Sequence, residues 1–140
     1  MFLYLILAVL VGFAVHFARG AVRSRERGSE LLLRWVLVGY CGVPMVAVAV
    51  LGFVDAAALL ARFGLEAEGP IVTFFLSAYL GMALAAVTAA KGPRSSLLAP
   101  ALVWSVFFLG ATSAHLGAGH GAGHSALLHI LVSHTLISVL

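Results

Sequence analysis

Charge is the scarcest commodity in this chain. Only 9% of its 140 residues are Asp, Glu, Lys or Arg, against about 25% in an ordinary globular protein. A soluble domain of this size cannot cover its surface with so few charged side chains. Cysteine is nearly absent as well: Cys41 is alone, so no intrachain disulfide can form and no redox compartment follows. No Cys, Asp or Glu stands anywhere after Glu68. The chain also lacks an HExxH pattern, a nucleophile–base pair at diagnostic spacing and a phosphate-cradling loop; the glycine-rich stretch Gly117–Gly123 carries no Lys. No signature of an enzyme remains, and the sequence reads as non-catalytic. Nor is there a basic cluster on a folded surface of the kind a nucleic-acid binder needs. Four of the eight basic residues sit together between two apolar runs.

What the chain has instead is apolar length. Hydrophobic residues make up 63% of it, and they fall in runs. A run of about 18 or more matches the hydrocarbon thickness of a bilayer. No period-two alternation suggests a β-barrel. The pattern predicts an all-α integral membrane bundle of about five transmembrane helices in a single domain, at about 2–18, 31–54, 70–90, 97–114 and 126–140, with a short interfacial helix over 55–66. The first run lacks a preceding basic region and a small-x-small cleavage site, so it reads as a retained span and not a signal peptide.

Local chemistry marks the boundaries. Ser29 is placed to cap the second span and Glu30 to sit at its positive end. Trp35 suits the headgroup level. Pro44, inside that span, predicts a kink. Pro70 fits a first helical turn. The last span has 15 residues, so its C-terminal end is expected at or just below the interface.

The loops vote on orientation. The first and third carry Arg19, Arg23, Arg25, Arg27, Arg34, Lys91 and Arg94; the second carries Arg62 against Asp55, Glu66 and Glu68, and the fourth carries no Lys or Arg. By the positive-inside rule this puts the N-terminus outside, the Arg-rich loop 19–30 and the C-terminus on the cytoplasmic side of a plasma (bacterial inner) membrane, and the loop 115–125 outside.

Two polar or small-residue patterns are candidates for function. Ser77, Gly81, Ala85 and Ala89 recur every four residues, a groove along which another helix backbone can approach. This supports a homo-oligomer or a place in a larger membrane complex. The second pattern is histidine: five of the six lie between His115 and His134. His115, His120, His124 and His129 are candidate ligands for zinc or copper, imidazole being the commonest protein metal ligand. Haem ligation by two histidines is a further alternative. Against both stands the absence of nearby carboxylates to orient the rings. His129 and His134 are also about 140° apart on a helix, so they do not share a face. The plain reading is histidines in an external loop and at helix contacts. His16 reads as an interfacial residue.

From Leu31 to Leu140 the order of parts resembles a family of small uncharacterised bacterial multi-pass membrane proteins, the domain-of-unknown-function type 6790. The residues that carry it are Arg34 and Trp35 at the start of the second span, Ala61 and Gly64, the Gly69-Pro70 helix start, Ala78 and Leu80, Phe107, Gly110, Ala111 and His115, and the loop Gly119–Gly123. The resemblance implies a helical membrane bundle and no particular activity. The family's polar positions in the third span correspond to Val72, Phe74 and Tyr79, and an acid at the start of the last span to His129. It therefore implies that the family's polar site is absent here or rebuilt with histidine.

Overall fold

The chain is all-helical in the computed structural model, which describes residues 2–20, 25–62 and 69–117, with the side chains of 2, 3, 25, 26, 62 and 114–117 excepted. Among the described residues there is no strand. Helix α1 (Phe2–Arg19) is followed by α2 (Arg25–Val36), which passes through a π-helical segment (Leu37–Gly42) into α3 (Val43–Val54). The short α4 (Ala56–Arg62) comes next, then α5 (Pro70–Ala90), a 3-10 turn (Arg94–Leu97) and α6 (Leu98–Gly117). Among the described residues three helices are long and apolar enough to cross a membrane: Arg27–Val54, Pro70–Ala90 and Arg94–Ser113. The segment read as a fifth span, 126–140, lies outside the described residues.

The long helices alternate in direction, and close contacts give their register. Phe17 lies by Gly28, Trp35 by Gly12 and Val9 by Gly39, so α1 runs antiparallel to α2. Leu76 lies by Gly52, Met45 by Tyr79 and Val87 by Gly42, so α5 runs antiparallel to α2–α3. Phe75 meets Phe107 and Tyr79 meets Trp104, so α6 returns along α5. The core lies between them: Ile6, Val9, Leu37, Tyr40, Met45, Ala83, Ala86, Trp104 and Phe108 are buried together.

Pro44 explains the π segment. Proline has no N–H to give to the carbonyl four residues back, and its ring crowds that carbonyl. The chain widens by one residue before it: the Val43 N–H bonds to Val38 O, five residues back. The expected kink is therefore absorbed in a π turn, a known way for a helix to accommodate an interruption.

The start of the second long helix differs from the sequence expectation. It begins at Arg25, not near Leu31, so Ser29 lies inside α2 and not at its N-cap. Glu30 pairs instead with Arg34 one turn on, its Oε1 accepting from Nε at 3.1 Å and Nη2 at 2.7 Å. This is the i,i+4 geometry that opposite charges favour on a helix. The charged run is polar enough to read as a loop, and the pair adds a few tenths of a kcal/mol to the helix that it forms instead.

Several hydroxyls within the apolar helices are satisfied locally. Ser77, Thr88 and Ser113 each donate to the carbonyl four residues back, the usual solution where water is scarce. At the far end of α3, Asp55 Oδ1 accepts the Ala58 N–H at 2.9 Å and caps α4. The α5–α6 turn is closed by Ser96, whose Oγ donates to Ala89 O at 3.0 Å.

Candidate functional site

The most densely organised region surrounds the π segment. Tyr40 and Cys41, which the widened turn carries inward, are buried, as is Met45 one turn beyond. From α5, Tyr79 Oη donates to Met45 Sδ. From α6, Trp104, Phe107 and Phe108 close over them. Ring centroids lie 5.5 Å apart for Tyr79–Trp104, 5.3 Å for Trp104–Phe108 and 5.5 Å for Tyr40–Phe108. These are separations at which aromatic pairs attract beyond simple contact. The cluster binds three helices together. The indole Nε1 of Trp104 and the Thr112 hydroxyl are buried with no partner among the described residues. Sequence reading gave these rings no role. Their spacing on α6, at i, i+3 and i+4, was the available signal, but an apolar helix offers many such stripes.

Small residues let the backbones approach. A Cβ added at Gly12 would lie 2.7 Å from the Trp35 ring, one at Gly39 2.7 Å from Val9, and one at Gly52 2.6 Å from Leu76. On α5 the buried small face is Ala83, Ala86 and Ala90. The stripe singled out from sequence is a neighbouring one: Ser77, Gly81 and Ala85 are exposed and Ala89 is half-buried. Nothing lies within 4 Å of a Cβ built at Gly81. Gly81 and Ala85 instead border a shallow open groove shared with Ala99, Pro100 and Val103 of α6.

Trp35 is held by α1 as well as by its own helix. Its ring covers Gly12, and its Nε1 donates to His16 Nδ1 at 3.3 Å. His16 is thereby a hydrogen-bond acceptor between two helices at the end of the bundle.

The basic residues cluster by position. The antiparallel order puts the C-terminal ends of α1 and α5 and the N-terminal parts of α2 and α6 at one pole. Arg19, Arg27, Lys91 and Arg94 are exposed there. Arg34 spans two elements, donating Nη1 to Ala90 O while Nε and Nη2 hold Glu30. Arg23 lies outside the described residues, and of Arg25 only the backbone is described. Asp55 stands at the opposite pole.

Replacing Arg34 with Met should cost about 1.5–3 kcal/mol in detergent unfolding, the range for a hydrogen bond to a charged group. Its side chain is about a quarter exposed, so water screens the ion-pair part. A double-mutant cycle with Glu30→Gln should therefore show weak coupling, most of the loss arising at the Ala90 carbonyl. A full loss shared with Glu30 would contradict this.

Of the candidate ligands, His115 falls on α6, where its backbone but not its side chain is described, and His120, His124 and His129 lie outside the described residues. Among the described residues no three His, Cys, Asp or Glu side chains come close enough to hold a metal ion. No family model, no curated protein and no solved structure matches the chain.

Proposed function

We propose that the chain is a multi-pass plasma-membrane protein with five spans, its N-terminus outside and its Arg-rich loop 19–30 cytoplasmic, and that it works as a non-catalytic accessory or scaffold subunit. The observation that carries this reading is where the apolar surface lies. In Pro70–Ala90 only 22% of the apolar window is buried, and in Arg94–Ser113 only 17%. Ile71, Phe74, Leu102 and Val106 project outward, each more than half exposed. Helices apolar all round belong in a core or in lipid, and this bundle is too thin to be its own core. Hydrocarbon is the solvent that fits. A scaffold role fits the same surface, because the outward stripe Ser77–Gly81–Ala85 is smooth enough for another helix to approach.

Two measurements test the proposal. The protein should stay with vesicles after an alkaline wash; release into the aqueous fraction would end the membrane reading. In mild detergent it should run larger than a lone monomer. Gly81→Leu should dissociate that species with little change in unfolding midpoint, because among the described residues nothing packs on Gly81. A wild-type protein that is monomeric and recovers no partner would remove the scaffold role.

A further inference from the structure

The basic pole has a defined architecture. Arg34 is engaged on both sides, tying α2 to the last carbonyls of α5 through Ala90 and neutralising Glu30. Glu30 is the one acid at this pole whose side chain is described. With it neutralised, Lys91 and Arg94 have no other described acid at this pole. Lys91 follows Ala90 directly, and Arg94 opens the 3-10 turn that leads into α6. Both are exposed, and no hydrogen bond or ion pair joins their side chains to another described residue. The turn between them is fixed by Pro93 and by the Ser96 hydroxyl, which donates to Ala89 O and Pro93 O. Arg19 and Arg27 add positive charge from α1 and α2.

We propose that the seam of α2, α5 and α6 at this pole is a binding site for the phosphodiester headgroup of an anionic phospholipid, with Lys91 and Arg94 as its principal contacts. The site rests on the membrane reading above, which sets this pole at the level of the lipid phosphates. A guanidinium matches two phosphate oxygens at once, and an ammonium acts as a point charge beside it. The aliphatic stems can lie along the apolar helix ends while the charged heads reach the phosphates. Basic pockets between membrane helices on the cytoplasmic side recognise anionic headgroups in this way. A zwitterionic headgroup carries its own cation and cancels the attraction, so selectivity between the two lipid classes is the property to measure.

The test uses the purified full chain, with Trp104→Phe so that Trp35, which adjoins Arg34, is the one tryptophan left, in vesicles of phosphatidylcholine with increasing brominated phosphatidylglycerol, read by quenching of Trp35. Flotation with pure phosphatidylcholine vesicles comes first: a protein that fails to float disproves the membrane reading, whereas one that floats without lipid preference disproves only the site. Lys91 and Arg94, as the principal contacts, should each contribute about fivefold to the preference for the anionic lipid. Lys91→Gln with Arg94→Gln should therefore lower it about 25-fold, while Arg23→Gln with Arg25→Gln, an equal change in net charge, should leave most of it. Equal losses in the two pairs would show diffuse surface charge and overturn the site, as would an undiminished preference in the first pair. Displacement of the lipid by millimolar inorganic phosphate would overturn the lipid assignment in favour of a soluble anion.

Discussion

Trp104→Ala should lower the free energy of unfolding by about 3–5 kcal/mol, the range for removing a large buried ring. The indole is 1% exposed and touches rings from two elements, with centroids 5.5 Å from Tyr79 and 5.3 Å from Phe108. Phe108 in turn meets Tyr40 of the π segment, so the loss spreads to the contact that fixes α6 against α2–α3. In hydrocarbon the transfer of apolar surface from water contributes little to helix association, and dispersion between fitted side chains carries the contact. A cavity here removes dispersion partners, and the surrounding rings can close only part of it. Trp104→Phe should cost far less. It keeps a ring in the cluster and removes an Nε1–H that has no partner among the described residues, and deleting an unsatisfied buried donor offsets lost contact. Unfolding in mixed micelles with increasing denaturing detergent, followed by loss of helicity, gives both values. An alanine variant within about 0.5 kcal/mol of wild type, the scale of an ordinary surface substitution, would show that α6 is not packed through this residue.

How far the sequence spoke depends on what each feature needs. Long apolar runs need only counting, so the all-helical class and helices of membrane length over Pro70–Ala90 and Arg94–Ser113 could be read directly. Boundaries set by side-chain pairing were harder. The run Arg25–Glu30 looks like a loop until Glu30 is seen to meet Arg34. Pro44 announced a disturbance, but whether a helix kinks or widens depends on what packs against it, here Tyr40 and Met45 turned into a core shared with α5 and α6. The small residues show the limit most clearly. On α5 two stripes of similar composition lie side by side, and periodicity favoured Ser77–Gly81–Ala85–Ala89. The bundle buries Ala83, Ala86 and Ala90 instead, because the facing residues Gly42, Tyr40 and Arg34 set the rotation of the helix. One sequence cannot give that rotation, since it belongs to the pair of helices. Of the histidine candidates only His115 lies on a described element, so spacing is all that bears on them.

Gly42 is where that pairing can be tested most sharply. In an isolated helix Gly→Ala stabilises by about 1 kcal/mol, so a substitution with no tertiary contact should raise stability. At Gly42 the sign should reverse. An added Cβ would lie 2.5 Å from Val87 Cγ2 and 2.7 Å from the Leu37 carbonyl oxygen. The valine methyl can rotate aside, whereas the carbonyl belongs to the backbone of the π segment itself and can move only if the wide turn is rebuilt. Overpacking of this kind costs about 1–3 kcal/mol and sometimes more, so Gly42→Ala should lose about 2 kcal/mol net, and Gly42→Val should fail to yield a stable bundle. Val87→Ala in the Gly42→Ala background should restore only the part due to the side chain, leaving the clash with Leu37 O. Gly81→Ala on the open face, with nothing within 4 Å among the described residues, is the matched control and should be neutral or slightly stabilising. If both alanine variants shifted the unfolding midpoint alike, the close approach of α5 to the π segment would be wrong, and with it the register that brings Arg34 to Ala90 and the basic residues to one pole.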